Sequence, residues 1–91
     1  MSENQTTAFV TGKSYFIRTA TYHCTGRLIA IYPNELELED AAFIADSGRF
    51  HDALKTGQFD EVEPFVENLI VSRSGIIDAT PWTHELPRDQ K

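Results

Sequence analysis

Among the side chains of this sequence whose types hold metal ions or act in nucleophilic catalysis are His23, Cys24 and His51. A zinc site needs ligands that converge, but the neighbours His23 and Cys24 point to opposite faces of a strand. The sequence has no CxxC or HxxxH spacing that would bring ligands together. Catalysis by Cys24 would need a histidine beside it, which spacing alone cannot establish. We therefore predict no metal, no cofactor and no catalytic residue, and we assign Cys24 a buried apolar role.

Two further patterns suggest chemistry less strongly. Glu37 and Glu39 would lie about 7 Å apart on one face of a strand, a placement that suits acid–base catalysis, although solvated carboxylates on an outer face are far commoner. The sequence Gly12-Lys13-Ser14 matches the end of a phosphate-binding loop, but Thr7 stands where that motif needs a glycine. We therefore expect a protein that is not an enzyme.

The charge of the chain limits its partners. Fourteen acidic residues against eight Lys and Arg give a formal charge of −6. No Lys or Arg occurs in residues 28–48 or 56–72, and nine of the fourteen acidic residues fall in these two windows. We expect one strongly anionic surface, which disfavours a phosphate backbone. Such a surface favours basic protein partners or simply keeps the protein soluble.

Cysteine content and hydropathy indicate the compartment. A single cysteine excludes an intramolecular disulfide and fits a reducing compartment. Residues 1–7 are polar, and no window approaches the roughly 18 apolar residues that a membrane span needs. We therefore predict a soluble, cytoplasmic protein without a membrane partner.

The elements that must position these side chains are organised around a β-hairpin over residues 26–41. Pro33 and Asn34 suit its turn, because proline presets φ and asparagine tolerates an unusual one. Leucine and glutamate alternate over residues 36–39, which predicts a strand with one buried and one solvated face. This strand is expected to continue to Ile44.

Other elements flank the hairpin. A strand is predicted over residues 14–25, rich in aromatic and β-branched residues, and Gly26 after it suits a bulge or a sharp bend. After the hairpin a short helix is predicted, with Asp46 or Ser47 as its N-cap and Gly57 as its C-terminal stop. Its apolar stripe consists of Phe50, Ala53 and Leu54.

The remainder predicts two short closing strands. Residues 58–68 are acidic and interrupted by a proline, so they are expected to form a loop or an edge strand. The strands Leu69–Arg73 and Ile76–Thr80 follow, and Ser74-Gly75 predicts a hairpin turn between them. Trp82 is expected to pack back onto the body, with the rest of the tail flexible.

Together these elements predict a mainly β fold: a small, strongly bent antiparallel barrel of five strands, with one short helix inserted between strands 3 and 4. Only one face of each strand points into so small a barrel. Apolar residues on the outer face, such as Ile29 and Ile31, then need cover from the helix or from another subunit. The expected organisation is a flexible segment over residues 1–13, a barrel over 14–80 and a tail over 81–91.

Two stretches resemble the motifs of the Sm-like family. The first family motif is a strand opening with glycine and an aliphatic residue, then a turn, then a Leu-x-Leu strand that ends in acidic residues. It is matched here by Gly26, Leu28, Leu36, Leu38, Glu39, Asp40 and Ala41. The second motif is an apolar strand, an Arg-Gly turn and a final apolar strand, which residues 71–77 resemble with Ser74 inserted before the glycine. The resemblance covers about residues 14–80 and includes Sm-like sequences carried by bacterial viruses.

This resemblance implies a homo-oligomeric ring of roughly five to seven subunits, with about five favoured, joined head to tail by edge strands. The interface residues it suggests are Ile29, Ile31, Leu69 and Val71. A viral origin would place the protein in the host cytoplasm. An SH3-like monomeric barrel uses the same strand pattern and is the alternative fold.

The resemblance also suggests an RNA site. RNA-binding Sm-like proteins place an Asp and an Asn around the first turn and an Arg beside the glycine of the second. Here Tyr32 stands where the Asp would fall, Asn34 is out of register, and Arg73 is retained. These three are the candidate RNA-binding residues. Because of the departures and the anionic surface, we favour an adaptor ring with a basic protein partner, and an RNA-binding ring is the alternative.

Overall fold

A computed structural model describes residues 7–91 of the chain. These residues form six strands and one α-helix. A 3₁₀ turn, Arg73–Gly75, separates the last two strands. The elements in chain order are β1 (Ser14–Thr19), β2 (His23–Ile31), β3 (Glu35–Asp46), α1 (Phe50–Thr56), β4 (Glu61–Pro64), β5 (Leu69–Ser72) and β6 (Ile76–Pro81).

All strand pairs are antiparallel, and the fold is mainly β with the helix between β3 and β4, as predicted. The strands are ordered β4-β3-β2-β1-β6, and β5 pairs with the first half of β3. There are six strands rather than the predicted five, because the acidic segment contributes the short strand β4. The first predicted strand is divided, but its second part is continuous with the first strand of the hairpin and adds no strand to the count. The hydrogen-bonded order is an open path.

The single strand predicted over residues 14–25 is wrong. A turn at Ala20–Tyr22 divides it into β1 and β2, which pair with each other. Thr19 stabilises this turn, since its hydroxyl donates to the Tyr22 carbonyl at 2.8 Å and accepts from the Tyr22 amide at 3.0 Å. Such local bonds from a threonine side chain compete with continuation of a strand.

The hairpin of β2 and β3 is confirmed. Its turn contains Pro33 and Asn34 and is closed by the Tyr32 amide, which donates to the Glu35 carbonyl at 2.8 Å. The bulge predicted at Gly26 is also present, because Asp40 and Ala41 of β3 together lie opposite this one residue.

Gly26 and Asp40 are fitted to this bulge in different ways. A Cβ on Gly26 would lie 2.9 Å from the Leu38 Cβ, so the strands can approach here because the side chain is missing. Asp40 adopts φ 50°, a left-handed conformation that aspartate tolerates better than most residues. The bulge shifts the alternation of β3 by one residue, so Ala41 rather than Asp40 follows Leu36 and Leu38 on the same face of the sheet.

Two apolar cores lie on opposite faces of the sheet, because consecutive residues of β1 belong to different cores. The first core consists of Tyr15, Ile17, Cys24, Leu28, Leu36, Leu38, Ala41 and Val71. The second core lies beneath the helix and the tail and consists of Phe16, Ala42, Ile44, Ala53, Phe59, Val62 and Trp82. The helix therefore covers the face that carries the second core. Of the two residues predicted to need cover, Ile29 is exposed and Ile31 packs against the first core.

The helix is shorter than its capping residues predicted. Its N-cap is Arg49, and neither predicted cap acts there. The Asp46 carboxylate instead accepts from the Gly48 amide at 2.8 Å, which uses it in the turn before the helix. The predicted stop at Gly57 is confirmed, with φ 75° and its amide donating to the Ala53 carbonyl.

The predicted hairpin of the last two strands is wrong. β5 pairs with β3, whereas β6 pairs with β1. The chain crosses between these ends of the sheet through the 3₁₀ turn, which needs no positive φ at its glycine. A short apolar–turn–apolar pattern cannot distinguish a hairpin from such a crossing, because both use the same residues.

Both chain segments outside the predicted barrel contact it. Phe9 packs edge-to-face on Tyr15 with ring centroids 5.3 Å apart, while residues 1–6 of the segment expected to be flexible lie outside the described residues. Trp82 packs back as predicted, at 4% exposure. The end of the tail, Lys91, exchanges two backbone hydrogen bonds of 2.9 Å with Val62 of β4. No helix within residues 7–91 is long and apolar enough to cross a membrane.

Candidate functional site

The three residues predicted to bind RNA come together where the β2–β3 turn meets the 3₁₀ turn. The Arg73 amide donates to the Asn34 carbonyl at 2.9 Å, and the Arg73 guanidinium donates through Nη1 to the Tyr32 carbonyl at 2.8 Å. We call Tyr32, Asn34 and Arg73 the turn cluster. The pairing of β5 with the first half of β3 creates it, because that register carries the chain directly from Ser72 to the hairpin turn.

Two carboxylates flank the turn cluster on β3. Tyr32 donates its hydroxyl to Glu37 Oε1 at 2.8 Å, and Asn68 Nδ2 donates to Glu37 Oε2 at 3.1 Å. The bonds from Asn68 and then Tyr32 lower the pKa of Glu37 below its ordinary value. The same hydrogen bond to Glu37 is the main cause that raises the pKa of Tyr32. Glu37 is therefore held ionised, and Tyr32 is held as a neutral phenol.

The turn cluster combines an aromatic ring, an amide and a cation. The Tyr32 side chain is 41% exposed, so it can stack on a planar group. Arg73 supplies one positive charge, whereas Glu35 and Glu37 supply two negative charges close by. An anionic ligand would therefore approach against the local field. The cluster suits a neutral or cationic planar group better than a phosphate.

The candidate metal and catalytic residues are not brought together. Cys24 is fully buried in the first core, whereas His23 packs against Phe16 on the other side of the sheet, with ring centroids 5.7 Å apart. His51 lies on the exposed part of the helix. Burial raises the pKa of the Cys24 thiol to about 12, so it is protonated at neutral pH and is not a nucleophile. The buried apolar role predicted for Cys24 is confirmed.

The glutamate pair is also divided between separate partners. Glu37 is bound by Tyr32 and Asn68, whereas Glu39 accepts from Arg27 Nε at 2.6 Å. Paired acid–base catalysis needs two carboxylates that share a substrate or a proton. These two are each neutralised or hydrogen-bonded by the protein itself, so the arrangement is structural.

The four predicted interface residues occupy different environments. Ile29 is exposed at a bulge of β2, and Ile31 and Leu69 are partly buried against the first core. Val71 is 2% exposed, so its side chain belongs to the core and only its backbone can take part in an interface.

Sequence reasoning missed the exposed aliphatic residues of the two last strands. Ile70 of β5 is 55% exposed and Ile77 of β6 is 67% exposed. Alternation along each strand separates Ile70 from Val71 and Ile77 from Ile76, but it does not say which of the two faces is exposed, so the sequence carries no signal for them. Within residues 7–91, no strand pairs with the outer edge of β5 or of β6.

Parts of the two acidic windows of the sequence meet where β4 pairs with the second half of β3. β4 carries the exposed residues Glu61 and Glu63 on either side of buried Val62. Glu61 lies opposite Asp46 of β3, and Asp60 precedes it. We call Asp46, Asp60, Glu61 and Glu63 the acidic edge. The acidic edge thus brings one acidic residue of the first window, Asp46, together with three of the second.

Comparison of the chain with protein-family models, curated proteins and solved structures finds no match to any of them. The resemblance to the Sm-like family thus rests on the sequence motifs alone and remains a prediction.

Proposed function

We propose that this protein is a non-enzymatic, Sm-like adaptor that assembles into a homo-oligomeric ring of roughly five to seven subunits, with about five favoured. In this proposal the strongly bent sheet acts as an Sm-like barrel, and the ring presents the acidic edge to basic protein partners in the cytoplasm. The observation that carries the proposal is a pair of strand edges, on β5 and β6, that no strand within residues 7–91 covers and that each carry an exposed isoleucine.

Two open edges on one chain favour a head-to-tail assembly. An exposed strand edge presents unpaired backbone groups that another strand can satisfy. If β5 of one copy pairs with β6 of the next, the growing assembly keeps a free β5 at one end and a free β6 at the other, and the contact repeats until the ring closes. Ile70 and Ile77 would then be removed from water at every interface, which stabilises the assembly.

Native mass spectrometry tests the ring directly. We expect the wild-type protein to form a closed oligomer and the Ile77→Lys variant to be monomeric, because a lysine on the β6 edge opposes strand pairing. Val66→Lys is the matched control, since Val66 is fully exposed on the β4–β5 loop and lies on neither edge. A monomeric wild type, or a ring that persists in Ile77→Lys, contradicts the proposal.

An RNA-binding ring is the second candidate, favoured by one observation: Tyr32, Asn34 and Arg73 converge although they come from two distant turns. In a ring, the turn cluster of each subunit would offer an aromatic stacking surface and a cation to one nucleotide. Its support is weaker, because Glu35 and Glu37 flank the cluster and the chain carries a charge of −6.

Fluorescence anisotropy with a labelled U-rich RNA separates the two candidates. The adaptor proposal expects no binding at low salt. The RNA candidate expects binding that weakens steeply with salt. It also expects a loss of binding in Arg73→Ala but not in Arg49→Ala, because Arg49 is an exposed arginine at the helix N-terminus, outside the cluster.

A further inference from the structure

The tail of the chain has two parts that contact the body differently. Trp82 stacks on Phe59 with ring centroids 5.0 Å apart, and His84 Nε2 lies 2.7 Å from the Leu54 carbonyl. Trp82 also donates Nε1 to the Glu85 carbonyl at 3.2 Å. We call residues 82–84 the anchor and residues 85–91 the strap. The anchor is fixed in the second core.

The strap extends the sheet at the outer edge of β4. The Val62 amide donates to the Lys91 carbonyl and the Lys91 amide donates to the Val62 carbonyl, both at 2.9 Å. This exchange of two bonds between one pair of residues is the antiparallel pattern of neighbouring strands. The strap is thus seated on the β4 edge as a short added strand.

The side chains of the strap contact β4 and the residues around it, and one of these contacts, between Arg88 and Asp40, is an ion pair. Arg88 donates to Asp40 at 3.2 Å, and Gln90 donates to Glu63 at 3.2 Å. Lys91 Nζ donates to Gln58 Oε1 at 3.4 Å, and Leu86 packs against the second core. The strap therefore presents one aliphatic residue followed by basic residues two and five positions later.

These contacts hold the strap weakly. The ion pair with Asp40 has an exposed arginine, and the other polar contacts of the strap also lie at the surface. Exposed pairs of this kind stabilise a fold little. A cavity of about 460 Å³ lies between the strap and residues 57–59 and 62, so the strap, which packs on the second core through Leu86, leaves open space beside the body.

We propose that the β4 edge is a docking site for an extended basic segment of a partner protein, and that the strap occupies this site until the partner displaces it. The partner segment adds to β4 as an antiparallel strand, so its backbone replaces the bonds of Lys91 to Val62. Its basic side chains meet the acidic edge and Asp40, and an aliphatic side chain replaces Leu86. The inference rests on the proposed adaptor function, for which it names the position and the chemistry of the partner.

The test uses a fluorescein-labelled, amidated peptide of residues 83–91 as the probe, measured by anisotropy. A variant that ends at Glu85 keeps the anchor and lacks most of the strap. We expect this variant to bind the peptide about tenfold or more tightly than the full chain, because a tethered strap competes at high effective concentration. A second variant is the full chain with Arg88→Glu and Lys91→Glu. It is also expected to bind the peptide more tightly than the unaltered full chain, although no residue is removed.

Two altered peptides identify the binding mode. A peptide with glutamate in place of both basic residues should bind about tenfold more weakly, since it meets the acidic edge with like charge. A peptide N-methylated on the backbone amide of the lysine equivalent to Lys91 should also bind more weakly, because that amide cannot donate to the Val62 carbonyl. N-methylation at the position of Asp89 is the control, since Asp89 is not paired with β4 in the strap.

Three results would overturn the inference. The folded truncated variant does not bind the peptide, or the full chain and the strap-altered chain bind it with equal affinity. The third is that charge reversal of the peptide leaves its affinity for the truncated variant unchanged. Folding is followed by circular dichroism and by Trp82 fluorescence. The outcome is independent of the ring. A monomeric protein that binds the peptide contradicts the proposed ring and supports this docking site. A ring whose strap variants do not bind the peptide contradicts the docking site alone.

Discussion

The outer edges of β4 and β6 differ in the side chains that they carry and in what pairs with their backbone. At β4, charged residues flank one buried valine and the chain's own strap satisfies that valine's backbone. At β6, an isoleucine is 67% exposed and no strand of residues 7–91 covers the edge. Proteins manage strand edges with charge or cover, because open aliphatic edges invite pairing. This difference is the basis on which we propose a permanent partner at the aliphatic edges and an exchangeable one at the acidic edge.

We expect the largest loss of stability from substitution of Trp82, the buried aromatic residue of the anchor. Trp82→Ala should lower the free energy of unfolding by about 3–5 kcal/mol, since it removes a buried indole and leaves a cavity beside Phe59. Urea denaturation measures this loss. Val66→Ala is the control for lost apolar surface and should change stability by less than about 0.5 kcal/mol. Equal losses in both variants would show that the anchor is not part of the core.

A smaller effect is expected at the backbone of β4. In the variant that ends at Glu85, the Val62 amide loses its acceptor at Lys91 and should exchange hydrogen faster. A typical hydrogen bond is worth about 1 kcal/mol, which corresponds to roughly a fivefold change. Hydrogen exchange followed by NMR measures it, with the Phe16 amide in the middle of the sheet as the unaffected reference. An unchanged Val62 rate would mean that the strap does not protect the edge.

The exposed ion pair of the strap should contribute least to stability. Arg88→Ala is expected to change the free energy of unfolding by less than about 0.5 kcal/mol, because its guanidinium is solvated. Arg27→Ala is the comparison, since Arg27 binds both Glu39 and Asp40 across the bulge and is more buried. A larger loss in Arg88→Ala than in Arg27→Ala would contradict a weakly held strap.

An ion pair between β1 and the edge strand β6 is expected to make the free energy of unfolding depend on pH. Arg18 donates through Nε to Asp78 Oδ1 at 2.8 Å, and this hydrogen bond is the main cause that lowers the pKa of Asp78. The ordinary pKa of aspartate is about 3.9, so the stabilisation is complete above that pH and is lost as pH falls through the lower folded value.

Asp78→Asn should therefore be less stable than wild type near neutral pH, and the difference should shrink as the solution is acidified below about pH 4. Urea denaturation at several pH values measures it, with Glu67→Gln, an exposed loop carboxylate, as the control. A difference that is constant with pH would assign the effect to packing rather than to charge.

Local chemistry in the sequence predicted the features that depend on neighbouring residues. The hairpin turn follows from Pro33 and Asn34, and the helix stop follows from the left-handed φ that glycine permits at Gly57. The burial of Cys24 and Trp82 also follows from their side chains. The strand pairing of β5 and β6 could not be predicted, because a turn sequence does not state which strand lies beside each of its arms.

The same division applies to the sites. The sequence by itself determined the excess of acidic residues, the three residues of the turn cluster and the absence of metal-ligand spacing. Only the tertiary structure decided that Val71 turns inward while Ile70 and Ile77 turn outward, and that the strap lies on β4 beside the acidic edge. The physical reason is that composition and local φ preferences are carried by each residue, whereas edges, cover and register exist only once distant strands have paired.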